Sequence, residues 1–468
     1  MGKIKYLYLL LFVFIYSCNE RVKEEANIVN DITQLNPIKV RAIITPTSVD
    51  EIKAAVKHHK GPISIGGGRF SMGGQTATSQ ALQLDMRKFN QIVAFSKERR
   101  EITVQSGIRW RELIQFIDKY DLSVKVMQSY SNFTVGGSLS VNVHGRYVGE
   151  GAIISTVKQI KMVLANGDVV MVSPTLNKEL FAAVVGGYGG LGVIAEITLE
   201  LTNNSRIERL DTIMNLSSYA SYFQKSIRNN EEIIFHNTVI YPNSYRYVRA
   251  ISHVKTTKGL TLKSRLKPIN KKLFLNRLAL RLVSGSSFGK WIRRSVMDPI
   301  FYAKNQVAWR NYEATYDVNE LDPGSRKKET YVLQEYFIPI AQFDKFYPKM
   351  VNIFKKHEVN VMNVSIRHAV KDSLSAMAWA KEEVFAFVIY YKQGVSIKDN
   401  AKVKSWTNEL INASLSVNGS YYLPYQIIAT PQQFNKAYPN AKQFFKLKKK
   451  YDPDYKFRNQ LFDAYYKD

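Results

Sequence analysis

Ile65-Gly66-Gly67-Gly68-Arg69-Phe70-Ser71-Met72-Gly73-Gly74-Gln75 puts five glycines into nine residues. It follows Ile63-Ser64-Ile65, a short predicted strand after the Gly61-Pro62 breaker. A structural turn needs one or two glycines. Five let the backbone pass close to a ligand and aim its N–H groups inward, which is how a chain cradles a diphosphate without lysine. A second glycine turn comprises Thr134-Val135-Gly136-Gly137-Ser138 and Asn142-Val143-His144-Gly145-Arg146. A third is Gly186-Gly187-Tyr188-Gly189-Gly190-Leu191-Gly192-Val193-Ile194. By letter the third fits the dinucleotide fingerprint at Gly187, Gly189 and Gly192, but it follows a predicted helix and opens a strand. The fingerprint needs the opposite order, so Rossmann-type NAD(P) binding is excluded.

Working outward, Ser48-Val49-Asp50-Glu51 is a capping box that starts a helix running to His58. Strands follow at Leu82–Asp85 and Ile102–Gln105, with an amphipathic helix around Arg109–Tyr120. Asn166-Gly167 between two β-rich runs predicts a hairpin, Asn177–Val185 a helix and Val193–Leu201 a strand. Beyond about Asn203 the strands lengthen, as in Val332–Ile338 and Val384–Tyr391, and alternate with helices such as Ile340–Lys356. The 468 residues therefore predict an α+β protein of two domains, the second an antiparallel sheet covered by helices. The expected boundaries are a leader over 1–18, a flexible tether over 19–35, a first domain over 36–204, a second over 205–425 and a C-terminal segment over 426–468.

Tyr6–Tyr16 is an apolar run of 11 residues after two lysines, too short for a membrane span and suited to a signal-peptide core. It ends in Ser17-Cys18, the only cysteine in the chain, in a pattern resembling the lipobox of bacterial lipoproteins. The expectation is an exported, lipid-anchored protein on the periplasmic or cell-surface side, without an internal disulfide or thiolate metal cluster. The formal charge of +27 favours anionic partners, and no nucleic-acid-binding motif is present. Lys255–Lys304 holds 13 Lys or Arg and one acid, Asp298, interspersed with Leu, Phe, Trp and Ile. Such a stretch suits an anionic membrane surface, or a solvated face with a buried apolar stripe.

The three glycine turns, in this order and spacing, resemble the PCMH-type FAD-binding domain of the vanillyl-alcohol oxidase superfamily. Tyr451-Asp452-Pro453-Asp454-Tyr455-Lys456-Phe457-Arg458-Asn459 resembles the C-terminal signature of its sugar-oxidising branch. That branch includes aldonolactone oxidases, alditol oxidase and decaprenyl-phosphoryl ribose oxidase. The resemblance implies a tail that returns to the FAD domain. It implies that Gly66, Gly67, Gly68, Arg69, Phe70 and Ser71 hold the FAD pyrophosphate, with Gly136, Gly137 and Asn142 adding contacts. His144 and Gly145 would lie by the isoalloxazine, and Val193 and Ile194 by the adenosine. Many members tether FAD through a histidine in the first loop; Phe70 stands there, so non-covalent FAD is expected.

On the substrate side the family's Glu-x-Arg pair corresponds to Ser365-Ile366-Arg367, with the acid missing. Alternation puts Asn363, Ser365 and Arg367 on one face of the strand and His368 on the other. Gln334-Glu335-Tyr336 resembles a substrate-lining strand, and Tyr425 stands where the ribose oxidase brings a lysine. Oxidation of an alcohol needs a hydride acceptor and a base for the hydroxyl proton. His144, Glu335 and Tyr425 are the candidate bases, and Arg367 is an anion or oxygen ligand. The implied activity is FAD-dependent oxidation of a CH–OH group in a sugar, lactone or polyol. The competing reading, suggested by Ser365 and Tyr425, is a tethered FAD-binding protein that has lost catalysis and holds an anionic glycan.

Overall fold

The first glycine loop leaves the end of a parallel three-stranded sheet. Ala42–Ile44 (β1) and Ile63–Gly66 (β2) flank Leu82–Asp85 (β3), the fully buried central strand. Between β1 and β2, Val49–His58 (α1) buries Ile52 and Val56, and its N-cap Ser48 Oγ accepts from Glu51 N at 3.1 Å. This computed structural model describes residues 27–242, 244–269, 277, 285–321 and 325–466. The predicted leader with Cys18, and residues 270–276 and 278–284 of the basic stretch, lie outside the described residues.

A larger antiparallel sheet completes the first domain. It comprises Ile92–Ser96 (β4), Glu101–Gln105 (β5), Leu122–Val124 (β6), Val157–Val163 (β7), Val169–Val172 (β8) and Val193–Asn203 (β9). The order is β8-β7-β9-β5-β4, with β6 on the far end of β9. The β7–β8 turn is the predicted hairpin, with Gly167 at φ +89° and Val163 opposite Val169. Trp110–Asp118 (α2) buries one apolar face against the core. Thr134-Val135-Gly136-Gly137-Ser138, read as a turn, instead opens a short helix, Val135–Ser140 (α3), because Thr134 caps it. The third glycine turn runs from Lys178–Val184 (α4) into β9, the helix-then-strand order that excluded a Rossmann site.

The second domain is built on one eight-stranded antiparallel sheet. Its strands are Arg206–Asn215 (β10), Ile233–Ile240 (β11), Tyr247–Lys255 (β12), Gln306–Trp309 (β13), Glu329–Pro339 (β14), Val361–Ala369 (β15), Val384–Gly394 (β16) and Ser420–Tyr421 (β17). They lie in the order β13-β10-β12-β11-β15-β16-β14-β17. Phe343–Lys356 (α5) and Ile397–Leu415 (α6) cover one face, on which Tyr336 packs against Phe346 and Gln334 donates to Thr407 Oγ1 at 2.7 Å. The strand period of two therefore turns Tyr331, Leu333 and Glu335 to the opposite face, towards the first domain.

Two parts of the chain complete the first domain, and the first of them departs from the expected boundaries. Residues 27–35, read as tether, belong to the folded body: Val29, Asp31 and Thr33 are buried, and Ile32 N donates to Arg69 O. The signal was their polar composition, which conceals that the Asp31 carboxylate accepts from both the Thr33 hydroxyl and the Asn36 amide. The chain's last stretch also closes the first domain. In Ala441–Tyr451 (α7), the buried Lys448 pairs with Asp452 at 2.6 Å and donates to the carbonyls of Gly190 and Phe457. Asp452 accepts from the backbone of Lys456 and Phe457, and Asn459 donates to Tyr188 O.

Candidate active site

Two cavities meet at the glycine loop. The larger, about 500 Å³, runs between the domains; the smaller, about 70 Å³, runs under the first domain towards Tyr188, Gly189 and Ile194. Gly67, Ser71, Thr76, Thr134, Gly137 and Val141 line both. The loop thus forms the waist of one elongated channel, in the size range of cofactor sites. Gly67 must be glycine: a Cβ there would stand 2.3 Å from Thr134 Oγ1. Arg69 takes a left-handed conformation, φ +59°, and its guanidinium reaches Asp85 at 3.3 Å. Phe70 stacks on Phe133 with ring centroids 4.3 Å apart, and both line the large cavity. Among the described residues, Ser106 Oγ in the small cavity and Ser129 Oγ in the large one have no hydrogen-bond partner. An elongated cleft with a backbone waist and unspent hydroxyls on each side fits a dinucleotide.

The large cavity's other wall is the second domain's sheet. Ser365, Val388 and Glu335 form one cross-strand row over β15, β16 and β14, and Asn363, Tyr390 and Leu333 form the next. Glu335 thus stands in the row of Ser365, so the carboxylate absent from β15 is supplied two strands away. His144 Nε2–H donates to Glu335 Oε1 at 2.5 Å, with both side chains almost wholly buried. Tyr425 O–H donates to Glu335 Oε2 at 3.2 Å. Burial pushes the Glu335 carboxyl up, but the His144 ring, the Arg367 guanidinium and the Tyr425 hydroxyl outweigh it and hold the group below its ordinary range. Burial and the Glu335 charge push the Tyr425 hydroxyl well up, so it stays a donor. Arg367 lines the same cavity, and its Nε has no partner among the described residues. Trp379, Phe337 and Tyr422 surround the His144 ring at 4.9, 5.5 and 6.2 Å, and Trp379 Nε1–H donates to Asn142 O.

Residues 40–173 match the family described as FAD binding domain. This unit is an FAD-binding domain of the PCMH type. Relatives include an FAD-dependent monooxygenase of Aspergillus niger, 28% identical over 42% of this chain and 36% of the relative. A putative D-arabinono-1,4-lactone oxidase of Neurospora crassa is 29% identical over 34% and 29%, and the mouse L-gulonolactone oxidase 26% identical over 41% and 47%. The chain spans less than half the length of each of these relatives.

The FAD-binding domain places the expected residues unevenly. Gly67, Gly68, Arg69, Phe70, Ser71 and Gly137 line the large cavity with His144, Glu335, Arg367 and Tyr425, while Gly136 and Ile194 line the small one. Gly66, Val193 and Gly145 lie behind the walls; Val193 is fully buried in an apolar cluster with Phe457. The buried Asn142 amide donates to Asp372 and Ser375 and accepts from Ile154 N, so its side chain ties the first domain to the second. Sequence reasoning missed Ile32, Gln34, Tyr331, Leu333, Val388, Tyr390 and Tyr422 in the cavity wall. Tyr331 and Leu333 carried a usable signal, since they alternate in register with Glu335.

Proposed function

We propose that the chain is an FAD-dependent oxidoreductase that oxidises a CH–OH group of a sugar, aldonolactone or related polyol. The observation that carries this is the His144–Glu335–Tyr425 cluster in the wall of a channel whose waist is the glycine loop. Bound FAD would supply the hydride acceptor. Gly67, Gly68, Ser71 and Gly137 would hold its diphosphate, with no covalent tether at Phe70. Glu335 is the proton acceptor in this reading: it is ionised at neutral pH, His144 fixes one carboxylate oxygen, and a substrate hydroxyl can displace the longer Tyr425 bond to the other. Arg367 orients the substrate through an oxygen atom. Relatives named as lactone oxidases support the substrate class. The catalytically silent alternative rested on Ser365 and Tyr425; Glu335 in the row of Ser365, with Tyr425 bonded to it, weighs against that reading. The lipobox-like Ser17-Cys18 supports export and a lipid anchor as part of the same reading.

The test is the visible spectrum of the purified protein during anaerobic addition of sugars, lactones and polyols. A flavin spectrum that bleaches with one of these classes is expected. Bound flavin that bleaches with none of them, but with a different alcohol or amine, would overturn the substrate class.

A further inference from the structure

Residues 287–302 form a helical segment built inside out. Its large apolar side chains point to solvent: Phe288 is 68% exposed, Ile300 71% and Phe301 60%, with Trp291, Val296 and Met297 also exposed. Its charged side chains point to the protein. Lys290 Nζ donates to Asn360 Oδ1 at 2.9 Å, and Arg293 Nη1 to Met362 O at 3.0 Å. Arg294 lies over the Tyr247 ring, and Asp298 accepts from Tyr241 O–H at 2.8 Å. Segments on a soluble surface bury the apolar stripe and expose the charges. A contiguous apolar face of this kind marks a contact surface. We propose that residues 287–302 dock on an anionic lipid bilayer, with Phe288, Trp291, Ile300 and Phe301 entering its interfacial layer.

Charge decides between a bilayer and a second copy of the chain. Besides Lys290, Arg293 and Arg294, which face the protein, the stretch Lys255–Lys304 carries ten cationic residues against one acid, within a chain of net charge +27. A symmetric dimer through this face would bring two copies of that excess together. Anionic headgroups neutralise it, and each nearby cation adds attraction that salt screens. The exposed aromatics suit the same layer, since Trp combines an apolar ring with a polar N–H. Among the described residues no helix is long and apolar enough to cross a membrane, so this contact lies on the bilayer rather than through it. Met362, whose carbonyl accepts from Arg293, packs with Tyr331 and Tyr390 of the cavity wall, so the protein-facing side of this segment backs onto the substrate cavity.

This inference deepens the membrane part of the proposed function without needing a lipid on Cys18. Its test uses the chain from Asn19 onward, which contains every described residue. Trp291 is the reporter: Trp110, Trp379 and Trp406 are buried and Trp309 is half-buried under Arg265, whereas Trp291 is 52% exposed. With vesicles of equal parts phosphatidylglycerol and phosphatidylcholine, its emission shifts to the blue and the protein co-sediments, less so at high salt. Phe288→Ser with Ile300→Ser lowers the partition coefficient about tenfold or more, with FAD content unchanged as the folding control. Trp291→Phe removes most of the shift and keeps most of the binding. Equal binding by the double variant, equal binding to pure phosphatidylcholine, or a dimer dissolved by the same substitutions would each overturn the proposal.

Discussion

The cofactor waist and the substrate wall of this channel are built in opposite ways. The waist is mostly backbone, drawn from one unbroken run of sequence, Gly67–Ser71, braced by Thr134 and Gly137. The wall is mostly side chain: Glu335 from β14, Arg367 from β15, Tyr425 from the segment after β17, and His144 from the FAD-binding domain itself. A contiguous site is fixed by local rules that act wherever the loop is placed. A distributed one depends on register, since a one-residue slip of β14 would turn Gln334 into the cavity and Glu335 towards α6. The waist should therefore fail by occlusion, and the wall by loss of chemistry with the cofactor still in place.

The sharpest way to break that contrast is Gly67→Val. Filling the waist should abolish FAD binding, so the purified protein is colourless and cannot be reconstituted; a yellow variant would show that the loop does not contact the cofactor. Next, Glu335→Gln should keep full FAD content while the rate of flavin reduction falls about 10²–10⁴-fold. Equal loss of colour and rate would make Glu335 a structural residue. Lys448→Met should lower stability by about 3–5 kcal/mol, because it leaves Asp452 charged and buried beside the third glycine turn. Chemical denaturation reads this directly, and a change within ±0.5 kcal/mol would mean the pair is replaceable.

A subtler effect concerns pH. The His144 ring holds the Glu335 carboxyl low, so the carboxylate persists as pH falls and activity is lost only when that depressed value is crossed. His144→Gln removes the largest of these lowering influences, so the acid limb of the flavin-reduction rate should move to higher pH. An unmoved limb would assign the titration elsewhere. The smallest expected effect is none at all: acid precipitation should release all the colour into the supernatant, since Phe70 offers no nucleophile for a tether.

The same contrast explains what could be read from the sequence. Glycine clusters, the Ser48 cap and the Asn166-Gly167 hairpin act within a few residues, so the FAD-binding domain and its waist were legible. Alternation placed Asn363, Ser365 and Arg367 on one face, but no local rule says that Glu335 falls in the row of Ser365. That alignment arises from the β15-β16-β14 order, which tertiary packing decides. The partners of Asn142 were hidden for a related reason. Its residue type and its place in a glycine turn suited a ligand contact, while its partners Asp372 and Ser375 lie in the other domain. Residues 27–35 looked like tether because polar side chains that satisfy one another read as solvated ones.

Lys448 carries a last consequence, for the order in which the molecule is completed. The glycine turn that it buttresses through Gly190 O belongs to the first half of the chain, and the first loop, at Gly66, precedes the lysine by about 380 residues. At about 5–20 residues per second, synthesis would separate the two by roughly 20–80 s. During that interval the cofactor fold exists without its closing strut and with its apolar seam open. The FAD-binding domain is therefore complete only once the far end of the chain has been made.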